Sequence, residues 1–463
     1  MGFFLMNKHI FSTAFLLLLL QGCSSTLPVP KAQDDTPEKP PVTSQPAQAV
    51  QEEPTPVPQP QAEAALSGDL LYHLLTAEMA INRSQFPLAV KHYHEAAILS
   101  RDARIVERAT RIAVYVRDDA AALAMAQLWV ELQPESMEAH QVMAALLVRK
   151  GKGELALQHL EKVLSHIKQG ERNRYMFITS LLSKERDKQA ALDVMEKLVA
   201  QRQQDPDAGD ALGHLALLVG SLDKAEAAID KALQLRPDWT EGQLLYANIL
   251  NRKGSTTKLL DSLERFLQSQ PDNIPLRIYL ARKLVDEKKF ADAREQFSEV
   301  LSRQPEHEDA LYALGLLGLQ MNKLDDAERS FQKLIELNKR VDDARYYLGQ
   351  AAEMGDDHEL AIQRYEQILA GRYYVDARIR TASLLAKQGE LEAAREHLQN
   401  VTAQTMDVEL KLYLAEGEIL REAKHYNEAF QLYSVALQQM PDNTQLLYAR
   451  ALTAEKMDRI DVT

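Results

Sequence analysis

The chain has 463 residues, 46% of them hydrophobic, a formal net charge of −13 and a single cysteine. The acidic balance argues against a nucleic-acid role, which needs a basic stripe to displace counterions, and one thiol leaves no internal disulfide possible. Ten of the 18 prolines stand before position 61, so the chain has parts of unlike composition.

Residues 1–22 read as a signal peptide. Asn7-Lys8-His9 is a short polar and basic start, Met6 is an alternative initiator, and Ile10 to Leu20 is an apolar run too short to span a bilayer comfortably. The run ends in Leu20-Gln21-Gly22-Cys23, which resembles the bacterial lipobox: a leucine three residues before the cysteine and a small residue just before it. The resemblance implies cleavage ahead of Cys23 and its acylation, as with palmitate; the other reading is an ordinary secretory signal with an incidental thiol. Similarity to lipoproteins of Gram-negative bacteria further implies, from Ser24 rather than an aspartate, sorting to the outer membrane with the chain facing the periplasm.

Residues 23–68 follow as the acylated cysteine and a proline-rich linker of Gln, Ala, Thr and Glu with hardly any aliphatic periodicity. Such a segment cannot bury enough apolar surface to fold, so a disordered tether is expected. In extended polyproline II form it reaches at most ~140 Å from the membrane, at about 3.1 Å per residue. A ligand for an SH3-type domain is the alternative use of such a stretch.

Residues 69–463 carry an internal period. Pro237, Pro271 and Pro305 are spaced 34 residues apart. Laid along the chain, that spacing aligns Leu212-Gly213, Ala225 and Ile229; Leu280-Ala281, Ala293 and Phe297; Leu314-Gly315, Ala327 and Phe331; and Leu348-Gly349, Ala361 and Tyr365. Small residues let two helix backbones approach and a bulky neighbour fills the space beside them, while proline, lacking an N–H, stops the second helix. The pattern resembles the tetratricopeptide repeat, two antiparallel helices per unit. The expected fold is all-α: a superhelical solenoid of about eleven helix pairs plus one truncated pair.

Units are expected to begin near Leu70, Ala103, Met137, Glu171, Pro206, Thr240, Ile274, Glu308, Asp342, Asp376 and Leu410. The early ones fit more loosely, marked by Ala77, Ala89 and Tyr93, then Ala109, Ala122 and Pro134, then Ala144, Ala156 and Leu160; Thr179, Ala190 and Val194 mark the weakest. In the tenth, Ala394 and Leu398 arrive one residue early, attributed to a shortened loop at Gln388-Gly389-Glu390. Asp207, Asp309, Asp343 and Asp376 stand where a carboxylate can cap a first helix. A twelfth unit starts at Thr444 and stops at Thr463, leaving Leu446, Leu447 and Leu452 without a second helix, as in a fragment or a chain completed by a partner.

The residues call for no catalytic site, cofactor, metal or small-molecule substrate. No G-x-S-x-G elbow, H-E-x-x-H pair, phosphate loop or dinucleotide fingerprint occurs. His92 and His94 point about 200° apart on a helix and cannot share an ion unaided. Trp129 reads as core, Trp239 as either core or surface, and Met143, Met321 and Met354 as gap-fillers. What remains is surface. The repeat resemblance implies that positions two, five, nine and twelve of each unit face a concave groove, giving Asn248, Arg282, Tyr312, Leu316, Tyr346, Gln350, Arg380 and Leu384 as candidate protein-binding residues.

Glu107-Arg108-Ala109-Thr110-Arg111-Ile112-Ala113 and Leu446-Leu447-Tyr448-Ala449-Arg450-Ala451-Leu452, followed by Glu455-Lys456, combine with the lipobox and the unit count. Together they resemble an outer-membrane tetratricopeptide lipoprotein family of pseudomonads. The resemblance covers about residues 69–457. It implies a non-enzymatic adaptor that binds a periplasmic carboxy-terminal processing serine protease, promotes assembly of its active form and brings it murein hydrolases as substrates. Alternatives are a scaffold for secretin assembly, outer-membrane protein insertion or peptidoglycan synthesis, and an enzyme whose catalytic domain follows Thr463. Replacing Cys23→Ala should abolish labelling by radioactive palmitate and move the chain from the membrane to the soluble fraction; unchanged labelling would exclude Cys23 as the anchor.

Overall fold

The computed structural model describes residues 67–168 and 174–457. The signal peptide, Cys23, the proline-rich linker and the expected start near Glu171 lie outside the described residues. Among the described residues the chain forms 23 helices and no strand. They divide into two compact units, one reaching Phe266 and one running from Leu267.

In the first unit, helices pair as α1 (Gly68–Asn82) with α2 (Phe86–Ser100), α3 (Ala103–Val116) with α4 (Asp119–Leu132), α5 (Met137–Arg149) with α6 (Gly153–His166), α7 (Arg174–Ser183) with α8 (Lys188–Ala200), and α9 (Pro206–Leu218) with α10 (Leu222–Leu235). They are followed by α11 (Thr240–Arg252) and α12 (Thr256–Ser269), the latter crossing the boundary. The second unit holds α13 (Ile274–Asp286) with α14 (Phe290–Arg303), α15 (Glu308–Gln320) with α16 (Leu324–Glu336), α17 (Val341–Met354) with α18 (His358–Glu366), α19 (Tyr374–Lys387) with α20 (Leu391–Gln399), and α21 (Met406–Glu422) with α22 (Tyr426–Gln439), then α23 (Thr444–Lys456).

One spacing organises every pair. A small residue on the first helix is followed 12 residues later by a residue buried on the second, as in Ala77 and Ala89, Ala144 and Ala156, or Ala382 and Ala394. Four residues further on, a larger side chain is fully or nearly fully buried: Tyr93, Leu160, Met195, Ile229, Leu263, Phe297, Phe331, Tyr365 and Tyr433. The closeness is severe at α15 and α16, where a Cβ on Gly318 would sit 2.7 Å from the backbone nitrogen of Ala327, and one on Gly315 2.5 Å from the Phe331 ring.

This spacing corrects two assignments. In the second repeat the partner of Ala122 is Thr110, whose hydroxyl donates to the Val106 carbonyl at 2.7 Å, rather than Ala109. In the fourth repeat, Ala191 rather than the half-buried Ala190 follows Thr179 by twelve residues, Met195 is buried beside the equally buried Val194, and the Thr179 hydroxyl donates to the Ala211 carbonyl at 3.0 Å. Threonine serves at a tight crossing when its hydroxyl is bonded to a carbonyl.

The early arrival in the tenth unit has a different cause from the one expected. The loop 388–390 has the same length, three residues, as 321–323 and 355–357. The missing residue is upstream: Gly349 follows Gly315 by 34 residues but Ala382 follows Gly349 by 33, across the 367–373 connection, so the whole pair is displaced by one.

Of the four expected caps, none is the capping residue. Asp205 caps α9, accepting from the Asp207 amide, and His307 caps α15, accepting from the Ala310 amide at 3.3 Å. Arg340 and Tyr373 precede α17 and α19 without side-chain caps. The aspartates sit in the first turn, where the helix dipole favours an anion, and reach a cation: Arg236 donates to Asp207 at 2.7 Å, Arg340 to Asp309 at 2.8 Å, Arg372 to Asp343, and Lys411 approaches Asp376 at 3.5 Å. Where the junction lacks proline, Asn338 and Arg340 turn the chain with φ of 53° and 45°.

Trp129 is buried, its Nε1 donating to Gln133 at 3.0 Å, and Trp239 is buried at the start of α11. Met143 is buried, whereas Met354 is exposed and fills no gap. Leu446, expected to lack a partner, is fully buried in a cluster with Tyr433, Ala436 and Leu437; Leu447 is exposed. Replacing Gly318→Ala should lower stability by about 1–3 kcal/mol, because the new methyl meets backbone that cannot rotate away. A thermal melt equal to the parent's would show that α15 and α16 do not touch in this register.

Candidate protein-interaction site

The eight candidate groove residues lie on first helices, but they do not form one open surface. Asn248 is exposed on α11 in the first unit; the other seven belong to the second. Tyr312, Leu316, Tyr346, Gln350 and Leu384 are buried, and Arg282 and Arg380 half-buried. The one-residue displacement of the tenth unit also moves Arg380 and Leu384 one place off the positions the period assigned them.

The structure brings Tyr312, Tyr346 and Arg380 together in an aromatic cluster with Phe331, Tyr347, Tyr365 and Tyr373. Tyr346 stacks on Tyr373 at 4.3 Å and 13°, Phe331 on Tyr347 at 5.4 Å and 15°, and Tyr312 meets Tyr347 edge-on at 5.9 Å. Offset and edge-on contacts suit the ring quadrupoles. The hydroxyls find partners: Tyr347 with Tyr373 at 3.1 Å, and Tyr365 donating to Glu353 at 3.1 Å. Burial pushes the phenols of Tyr312, Tyr347 and Tyr365 far above their ordinary value, so they stay neutral hydrogen-bonding groups.

Arginines border this cluster. Arg340 lies 4.6 Å over the Tyr312 ring, and Arg372 4.7 Å over Tyr373. Arg380 donates to the Tyr346 hydroxyl at 3.1 Å and to Glu353 at 2.9 Å, while Arg282 shares Asp309 with Arg340 at 3.1 Å. Tyr347, Tyr373, Arg340, Arg372 and Glu353 escaped the sequence reading. The doublets Tyr346-Tyr347 and Tyr373-Tyr374 were a signal for the aromatics; nothing in the period pointed to the junction arginines.

In the first unit, an open cleft of about 700 Å³ lies against α3, lined by Ile81, Phe86, Ile112 and Tyr115 with Arg104, Glu107, Arg108 and Arg111. The segment Glu107–Ala113, singled out in the sequence, therefore supplies part of its wall. Arg108 donates to the Tyr93 hydroxyl at 2.8 Å and to Glu78 at 2.9 Å.

Family models of the tetratricopeptide repeat match residues 284–353, 343–370 and 379–444. The TPR repeat-containing protein PA4667 of Pseudomonas aeruginosa is 35% identical over 457 residues, which is 97% of this chain and 74% of that protein. The chain belongs to the tetratricopeptide-repeat family. Human protein O-mannosyl-transferase TMTC1 is 27% identical over 233 residues, 48% of this chain and 25% of that protein. Among solved structures, yeast Tom70 aligns with 85% of this tetratricopeptide chain and 97% of its own at 15% identity and a TM-score of 0.32. A tetratricopeptide repeat protein of Parabacteroides merdae aligns with 56% of this chain and 98% of its own at 20% identity and a TM-score of 0.34. The array is a protein-binding scaffold of a family whose members are typically non-catalytic.

Two histidine pairs in tetratricopeptide units one and three were also missed. His92 does not stand alone: its Nδ1 faces that of His73 at 2.9 Å, and His140 faces His159 in the same way at 2.8 Å. His140 Nε2 donates to the Pro134 carbonyl at 2.8 Å, which leaves its Nδ1 as the acceptor of a proton carried by His159. A second proton on the pair would set two N–H groups against each other. Burial first, then the partner ring, holds His159 below its ordinary value, and burial followed by His73 does the same for His92. A depressed histidine means the unfolded chain takes up protons first, so stability is present above about pH 6.5 and lost as pH falls below it. The melting temperature should therefore drop between pH 7 and pH 5, and the drop should shrink in His159→Gln; an identical pH profile in that variant would exclude the pair as its source.

Proposed function

We propose that this chain is a non-catalytic adaptor lipoprotein, held in the outer membrane by an acyl group on Cys23 and facing the periplasm. Its repeats bind and activate a carboxy-terminal processing serine protease and present murein hydrolases to it for degradation. The observation that carries this reading is the similarity, 35% over 97% of this chain and 74% of the relative, to a tetratricopeptide protein of a pseudomonad, in a sequence whose Leu20–Cys23 stretch also resembles a lipobox. That is the organism group in which the resembling adaptor family occurs.

The arrangement of the second unit supports the same reading physically. Its aromatic cluster is rigid and closed, so the side chains left to meet a partner are its arginines and the acidic groups beside them. Planar guanidinium groups stacked on rings are held in one geometry before binding, which lowers the entropy cost of recognition. Tyr312 and Tyr346 are unsuited to testing this by truncation, because each fills space between helices.

A second reading keeps the tether and scaffold but assigns another envelope assembly: secretin, outer-membrane protein insertion or peptidoglycan synthesis. A pull-down from solubilised envelopes with the chain from Ser24 onward, read by mass spectrometry, separates them. Enrichment of a carboxy-terminal processing protease with murein hydrolases is the expected result. Secretin, insertion-machine or synthase subunits in their place would overturn the adaptor assignment.

A further inference from the structure

The two histidine pairs are alike in distance and unlike in setting. His140 is 5% exposed, and its Nε2 is committed to the Pro134 carbonyl at the junction before α5. The pair in the first repeat is open. His73 on α1 and His92 on α2 are both half-buried, and among the described residues no helix lies ahead of α1 to cover them. Tyr72 meets His73 edge-on at 5.3 Å and His92 at 5.7 Å while staying 60% exposed, so the rings stand at the surface. Apart from each other, neither imidazole has a hydrogen-bond partner among the described residues.

Distance decides what such a pair can hold. Imidazole nitrogens bind first-row metal ions at about 2.0–2.1 Å, so two Nδ1 atoms 2.9 Å apart subtend about 90° at a shared ion. A tetrahedral ion would need them about 3.3 Å apart. A right angle between neighbouring ligands belongs to the tetragonal geometry of Cu²⁺ and Ni²⁺. No third histidine, cysteine or carboxylate completes a cluster among the described residues, so water fills the remaining positions, unlike a closed structural zinc site. Coordination needs one change of tautomer: the proton shared between the rings moves to the Nε2 of the ring that carries it, which frees both Nδ1 lone pairs and releases no net proton. The rings, tilted 41° to each other, then turn toward an ion on their solvent side.

We propose that His73 and His92 form a site for a divalent transition-metal ion, Cu²⁺ in preference to Ni²⁺ and Zn²⁺, held between α1 and α2 by their two Nδ1 atoms. The order of preference is that of nitrogen sites in general, reinforced here by the angle. The net charge of −13 draws cations toward the chain. His140 and His159 take no ion, because a charge brought to the buried His140 ring would lose its water with no counter-charge to replace it. A bound ion joins the two helices of the first repeat, so it stabilises that end of the array.

The test uses the chain from Ser24 onward, purified without a histidine tag, and copper(II) chloride, read by calorimetry and electron paramagnetic resonance. One Cu²⁺ per chain, with an axial signal split by two nitrogens, is the expected result. His73→Gln and His92→Gln should each weaken binding about tenfold or more and leave the splitting of one nitrogen. His94→Gln and His159→Gln should change neither. Glutamine is the substitute because Gln243 and Gln296 already fill such places in later repeats, so the variants keep the fold, which circular dichroism checks. Nickel(II) chloride should raise the melting temperature of the parent and not that of His73→Gln. Absence of Cu²⁺ binding, equal affinity in the His73 and His92 variants, or a loss in His159→Gln would overturn the proposal. Several weak ions per chain, insensitive to every substitution, would mark adventitious binding only and overturn it equally. The pull-down result bears on none of these outcomes.

Discussion

Everything in this protein depends on how closely two helices of a pair can approach. A backbone separation that admits glycine, alanine or a hydroxyl-bonded threonine at the crossing recurs from α1 to α22. Its strictest form is Gly318 against the backbone of Ala327. Because the first helix supplies the small residue and the second supplies both a small one and a bulky one four residues later, each pair closes one gap and fills another. The same geometry leaves an apolar edge that only the next pair can cover, which is why the fold grows by stacking.

Polar groups enter this packed interior in a controlled way. The histidine pairs, Arg277 donating to Gln296 at 2.8 Å and to the Pro271 carbonyl at 2.6 Å, and Gln243 donating to the Pro237 carbonyl at 2.6 Å occupy equivalent places on first helices. In several units the side chain also bonds a carbonyl of the junction before its helix, so the polar pair fixes where one repeat hands over to the next. Buried polar groups are mostly bonded, and here the bonds to the junction carbonyls also set register, although Gln243 Oε1 and Arg277 Nε keep no partner of their own. The junction ion pairs, such as Arg236 with Asp207 and Arg340 with Asp309, act at the same points from outside.

The two units spend their side chains differently. In the second, the tyrosines that a repeat template points toward a partner are drawn into a ring stack among themselves, and the cations around that stack are already paired. In the first, the arginines of α3 keep most of their surface and stand beside an unfilled apolar cleft.

The all-α class and the phase of most units were legible in the sequence, because a 34-residue period of small residues and prolines is a one-dimensional signal that survives without any partner. Even its lapses could be read: Ala394 and Leu398 announced the displaced tenth unit, though the cause lay upstream at residues 367–373. What the sequence could not decide was exposure. Whether Tyr346 faces a groove or stacks on Tyr373, whether His92 stands alone or faces His73, and whether Asp309 caps a helix or binds Arg340 each depends on residues 19 to 31 positions away. Those distances are closed only when the helices pack, and the choice between water and a neighbour is made there, by the space the close crossing leaves.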